Sequence, residues 1–210
     1  MSQHLVDRKE PPPGISSFTK IRLGWISPEQ AVLVQPGDTR YAFLSPLAKK
    51  GGTLVVKIPL PQGRYYLVEN RQTLGFDRML PDSGILVLKV DPEVREGSGT
   101  VRVMNADPRF ADFSHATFRP DKENRSLFLD SGSNVAVIPL WAEGGNHGVL
   151  VTTPDKSRSA VQAAMAIQRL LKRFPEPRNE KQDMAVREAV ASFKRLDFNA
   201  SSQKARELPD

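Results

Sequence analysis

The chain has 210 residues, 39% of them hydrophobic and 26% charged, and it has no cysteine. That balance suits a soluble globular chain able to bury a core unaided, and the missing thiols exclude disulfides and thiolate zinc sites. The net charge is +6, with 12 Lys/Arg against 8 Asp/Glu in residues 155–210; so dilute an excess, poor in neighbouring aromatics, makes nucleic-acid binding an unfavoured reading. No run of about 18 apolar residues occurs, so no membrane-spanning helix is expected. The opening MSQHLVDRKEPPPG has no apolar h-region, so no signal peptide is expected in it, and the compartment stays open.

Residues 1–28 read as a lead-in and a short helix. Pro11, Pro12 and Pro13 force an extended or turning path into Gly14. Phe18, Ile21, Arg22 and Trp25 then recur at helical spacing, which predicts a helix over about 17–23, capped by Ser16 or Ser17 and stopped by Gly24.

From 29 to 153 the apolar period is two. Leu54, Val56, Ile58 and Leu60 fall on one face, as do Val101 and Val103. The stretches 134–141 and 147–152 read the same way. Turn-forming clusters such as Gln35-Pro36-Gly37-Asp38, Lys50-Gly51-Gly52 and Glu143-Gly144-Gly145-Asn146 separate them. Short strands with regular turns predict an antiparallel β-sandwich-like core in a mainly β protein. Pro59 and Pro139 belong at edges or bulges, since neither has an N–H for a ladder.

Residues 154–198 change to a helical period. Ala160, Ala163, Ala164, Ile167, Leu170, Leu171 and Phe174 form one stripe that Pro175 and Pro177 end. A second helix over about 180–196 shows Val186, Ala189, Val190 and Phe193 on one face, with Asn179 and Gln182 at capping-box spacing. The two predict an amphipathic helical hairpin that packs on the β domain or on a partner. The polar residues 199–210 are expected to be disordered.

Within the β region, Glu69-Asn70-Arg71-Gln72 ends an apparent strand. Alternation puts Glu69 and Arg71 on the side of Tyr65 and Leu67, and Asn70 and Gln72 on the side of Tyr66 and Val68. The polar run reads either as a substrate or metal contact or as an ion-pair network that fixes the sheet beside a loop, and the second is favoured. Asp77, Asp82, Asp91, Asp107, Asp112 and Asp130 lie in turns. They allow a calcium site, although turn formation accounts for them more simply. His4, His115 and His147 are too scattered for a metal set. Asp112, Ser114 and His115 make a triad only on paper, since near neighbours rarely form one and no nucleophile elbow is present.

These motifs together resemble the segment that follows the active site in secreted zinc metallopeptidases of the immune inhibitor A type. The matching residues are Lys20-Ile21-Arg22-Leu23-Gly24-Trp25-Ile26, the Glu69–Gln72 strand, Gly75-Phe76-Asp77, the run Leu80-Pro81-Asp82-Ser83-Gly84-Ile85 and Val90-Asp91. The likeness covers roughly residues 1–107 and does not reach the helical tail. One departure is at Leu88-Lys89, where family members often have an aromatic and a histidine. The resemblance implies that Lys20, Gly24, Trp25, Glu69, Asn70, Arg71, Gln72, Gly75, Asp77, Gly84 and Asp91 are family-motif residues with structural roles. It places zinc, its ligands and the catalytic glutamate outside this sequence, in a full-length relative. No His-Glu-x-x-His occurs here, so no catalytic residue carries over.

The expectation is therefore a non-catalytic C-terminal half of a zinc-metallopeptidase-like protein, truncated or separately encoded, inactive by itself, with an upstream or separate catalytic domain as partner. The alternative is a stand-alone β-sandwich module that binds protein or glycan.

Overall fold

Two β-sheets carry the fold, and the chain passes between them three times. The structure is a computed structural model and describes residues 12–95 and 97–207. Strand β1 (Ala31–Leu33) belongs to the first sheet and β2 (Arg40–Leu44) to the second. The chain then returns for β3 (Val55–Pro59), β4 (Tyr65–Arg71), β5 (Gly84–Val90) and β6 (Val101–Val103), and crosses again for β7 (Phe128–Asp130), β8 (Val135–Glu143) and β9 (Asn146–Thr152). The first sheet has the order β1-β3-β4-β5-β6 and the second β2-β9-β8-β7. Every pairing is antiparallel except β1 with β3.

Three apolar clusters divide the molecule into layers. Val56, Ile58, Tyr66, Val68 and Val87 of the first sheet meet Leu44, Val135, Val137, Val149 and Val151 of the second, forming the sandwich interior. The outer face of the first sheet, with Val55, Leu67, Leu88 and Val90, packs under Phe18 of α1 (Ser17–Arg22), Ile26, Leu47 and Leu54. The outer face of the second sheet, with Ile138, Leu140, Trp141 and Leu150, packs under α2 (Pro154–Arg173), α3 (Glu180–Lys194) and α4 (Phe198–Lys204). Burial on both faces is why β4 and β8 read as near-continuous apolar runs.

The expected prolines fall into place; of the expected caps, Ser16 stands at the N-cap of α1 without a side-chain cap bond. Pro59 is the last residue of β3, past the segment that β1 pairs. Pro139 opens a register irregularity that runs to Ala142. The extra residue brings Trp141 to the same outer face as Leu140. Gly144 and Gly145 both have positive φ and close β8 onto β9 as a two-residue hairpin loop. Asn179 and Gln182 form the reciprocal capping box of α3. Gly24, at φ +71°, follows the end of α1.

Four expectations are corrected. Residues 198–204 are helical: Asp197 accepts the Ala200 N–H as cap, Ser201 donates to the Ala189 carbonyl, and Phe198 and Ala205 are buried. The described part of the tail is therefore a third packed helix on the hairpin, because two apolar side chains and a hydroxyl with a buried acceptor suffice to seat it. Leu54 lies outside β3 and packs with the outer cluster, while Val56, Ile58 and Leu60 face the interior. The α1 stripe is only partly a core stripe: Phe18 packs inward, yet Ile21 is 39% and Trp25 64% exposed. Finally, β1, β2 and β7 are strands that no sequence pattern announces. Two of them are three residues long and, unlike β6, show no apolar–polar alternation.

Candidate functional site

Strand β4 is central in its sheet, and its last residues carry the polar run. Alternation holds: Leu67 faces the outer cluster and Tyr66 and Val68 the interior. Glu69 is fully buried, Arg71 is 4% exposed and Asp77 is 1% exposed. Charged groups so deep need partners, and here they find them in one another and in the segment leading into α1. Glu69 Oε2 accepts the Ser17 N–H at 2.8 Å, satisfying an orphan donor of the helix's first turn. Glu69 Oε1 lies 3.4 Å from Arg71 Nη1. Arg71 Nη1 also donates to the Ile15 carbonyl, and Nη2 donates to the Gly14 carbonyl at 2.8 Å and to Asp77 Oδ1 at 2.7 Å. Asp77 Oδ1 in turn accepts the Gly14 N–H at 2.9 Å.

Two glycines make this closure possible. Gly75, at φ +57°, lets the turn Gly75–Asp77 fold back after β4 and set Asp77 against Arg71. At Gly14 a Cβ would stand 3.0 Å from Asp77 Oδ1, so the strap approaches the carboxylate only without a side chain. Lys20, on α1, donates to the Leu47 carbonyl at 2.6 Å. Burial, followed by the Arg71 charge, pushes the Lys20 ammonium below its ordinary range, against Asp77 and Glu69. Burial pushes the Asp77 carboxyl above the ordinary carboxylate range, against the pull of Arg71.

The other residues singled out in the sequence also work on the frame. Asn70 Nδ2 donates to the Leu44 carbonyl at 2.8 Å, and its backbone carbonyl accepts the Leu47 N–H, so one residue of the first sheet holds the exit from β2. Gln72 Nε2 donates to Asn70 Oδ1 at 2.8 Å and fixes that amide. Gly84 begins β5 at φ +152°, where a Cβ would sit 2.7 Å from the Phe118 carbonyl oxygen. Asp91 closes the turn after β5 by accepting the Glu93 N–H. Trp25 donates its backbone N–H to the Lys20 carbonyl, and its ring stands out in solvent.

A second charge cluster had no signal in the sequence. Asp82 accepts from the Thr117 hydroxyl and from Arg119 and Arg125, the last of them 43 residues away. Burial raises the Asp82 carboxyl, and the hydrogen bonds from Thr117, Arg125 and the Ser83 N–H, together with the Arg125 charge, more than reverse it, leaving it below the ordinary range. Across the sandwich, the Tyr66 hydroxyl donates to Asp130 Oδ2 at 2.7 Å. Burial and that bond raise the phenol well above its usual range. Arg109 grips Asp107 with two nitrogens and pushes its carboxyl down to about 2.

A groove of about 960 Å³ lies beside this network, with Leu86, Leu88, Val101 and Val103 among its apolar lining. Glu69 and Arg71 border it, as do Arg22 and Arg102.

The turn aspartates do not converge. Among the described residues no group of three or more His, Asp or Glu stands together to hold a metal ion. His4 is outside the described residues. His115 stacks on Phe110 at 3.9 Å, and His147 is on β9 opposite Leu44. Asp112, Ser114 and His115 do touch, but in the wrong order. The Ser114 hydroxyl donates to Asp112 and contacts His115 Nδ1, so the carboxylate orients the hydroxyl rather than the imidazole. No helix is long and apolar enough to cross a membrane among the described residues. Comparison with protein-family models, with curated proteins and with solved structures finds no match.

Proposed function

We propose that the chain is the non-catalytic supporting part of a zinc-metallopeptidase-like protein, similar to the region C-terminal to the active site in immune inhibitor A type peptidases. It would steady a catalytic domain, whether joined upstream or made separately. One observation supports this reading above the rest: the polar residues of the shared motif, Glu69, Arg71 and Asp77, are engaged with one another and with the backbone of residues 14–17. Groups so committed set where the incoming chain meets the sheet, a task of support rather than of catalysis. Zinc chemistry belongs in this reading to the catalytic domain alone.

The test is the intact mass of the natively expressed protein, together with the activity of the 210-residue chain on unfolded casein. A mass well above 23.3 kDa is expected if the catalytic part is joined. A mass near that value calls for a separate catalytic chain that co-purifies with it. Casein cleavage by the purified chain alone, abolished by a chelator, would sink the proposal.

A further inference from the structure

We infer that the groove beside β6 binds an extended acidic and apolar segment of another protein, which adds to the first sheet as a sixth strand. The inference stands apart from the peptidase reading. Strand β6 is the last in its sheet. Its register is fixed by two flanking bonds, Asp91 N–H to the Thr100 carbonyl and Met104 N–H to the Val87 carbonyl. Alternation in an antiparallel pair then turns the N–H and C=O of residues 100, 102 and 104 toward β5 and those of Val101 and Val103 away from it. No described residue pairs with those outward groups. They present two donors and two acceptors at the two-residue repeat of an extended chain, the pattern that an added strand reads.

The side chains agree with the backbone. Val101 and Val103 point into the outer cluster with Leu86 and Leu88, so alternate residues of an incoming strand meet an apolar floor. Arg102 alternates to the opposite side of the strand, is exposed, and is among the residues that border the groove. Among the described residues the carboxylates that border the groove, Glu69 and Asp82, are already held by Arg71, Ser17, Thr117, Arg119 and Arg125. The groove therefore favours acidic residues across from Arg102. The same arginine disfavours a second copy of this chain, because antiparallel pairing centred on β6 would set Arg102 against Arg102.

The experiment titrates the ¹⁵N-labelled chain with a capped probe peptide of alternating Asp and Val. Two controls accompany it: the same peptide with Lys in place of Asp, and the Asp peptide N-methylated at alternate peptide nitrogens. Expected are shifts and slowed exchange centred on the Val101 and Val103 amides. Binding should weaken by roughly tenfold or more for both controls. Arg102→Glu, an exposed change that spares the core, should reverse the preference so that the Lys peptide binds better than the Asp peptide. Absence of shifts at Val101 and Val103 with millimolar probe overturns the proposal. So does equal binding of the N-methylated peptide, or a charge preference unmoved by Arg102→Glu.

Discussion

Arg71 and Asp77 close a ring around a single residue. The guanidinium donates to the Gly14 carbonyl, the carboxylate accepts the Gly14 N–H, and the two charged groups meet each other at 2.7 Å. Gly14, in the strap before α1, is thus held at both of its backbone polar groups by a pair belonging to β4 and the turn after it.

Removing the arginine leaves two buried carboxylates facing each other. Arg71→Met is expected to cost about 3–5 kcal/mol, the range for breaking a buried pair from one side. Arg71→Lys recovers little, since a single ammonium cannot reach Gly14, Ile15, Glu69 and Asp77 together. Urea midpoints of the three proteins check this; a lysine variant as stable as the parent would show that charge alone suffices.

The raised Asp77 carboxyl fixes the sign of a pH effect. It binds its proton more tightly folded than unfolded, so its contribution strengthens as pH falls through the folded pKa and weakens as pH rises. Relative to Asp77→Asn, the parent should gain stability on going from neutral pH toward 3.8, by at most about 1.4 kcal/mol for each pH unit crossed. Asp82, held below the ordinary range, acts in the opposite sense: its contribution is present above the unfolded value and is lost as pH falls through the folded one. Urea midpoints of parent and Asp77→Asn across that range decide. A parent advantage that grows with rising pH would contradict the assignment.

Asn70→Ala should cost about 1–3 kcal/mol, because the Leu44 carbonyl loses its buried donor. Asn70→Asp should cost more, as it brings a carboxylate oxygen against a carbonyl oxygen. Chemical denaturation of both variants gives the ranking.

Truncation after Asp197 removes α4 and uncovers Phe193, whose ring lies 5.1 Å from that of Phe198 and 5.1 Å from that of Trp141. The shortened protein should melt earlier, bind a hydrophobic dye and show altered tryptophan emission. Phe198→Ala should reproduce much of this, at about 3–5 kcal/mol. An unchanged melting curve would mean that α4 adds nothing to the core.

Much of the frame was legible because its signals are local. The period of two gave β4 its faces, so Glu69 and Arg71 could be placed with Leu67 before any partner was known. The capping box at Asn179 and Gln182 and the glycines at 144 and 145 are likewise complete within a few residues. What stayed hidden depends on distance along the chain. Nothing near Asp82 announces Arg125, nothing near Glu69 announces the Ser17 N–H, and the short runs Ala31–Leu33 and Phe128–Asp130 show no apolar–polar alternation. Ser201 looked like a disordered-tail residue because its acceptor, the Ala189 carbonyl, lies a helix away.

The pairing of β2 with β9 sets Arg40 beside Val151. Val151 lies 111 residues after Arg40, so the second sheet gains its full width only once that whole stretch has been made, and closing so long a loop slows folding. Until then β2 is an unpaired apolar ribbon, open to any strand that passes. The hairpin of β8 and β9 and the helices that cover it all follow β2 along the chain, so covering β2 waits on every one of them.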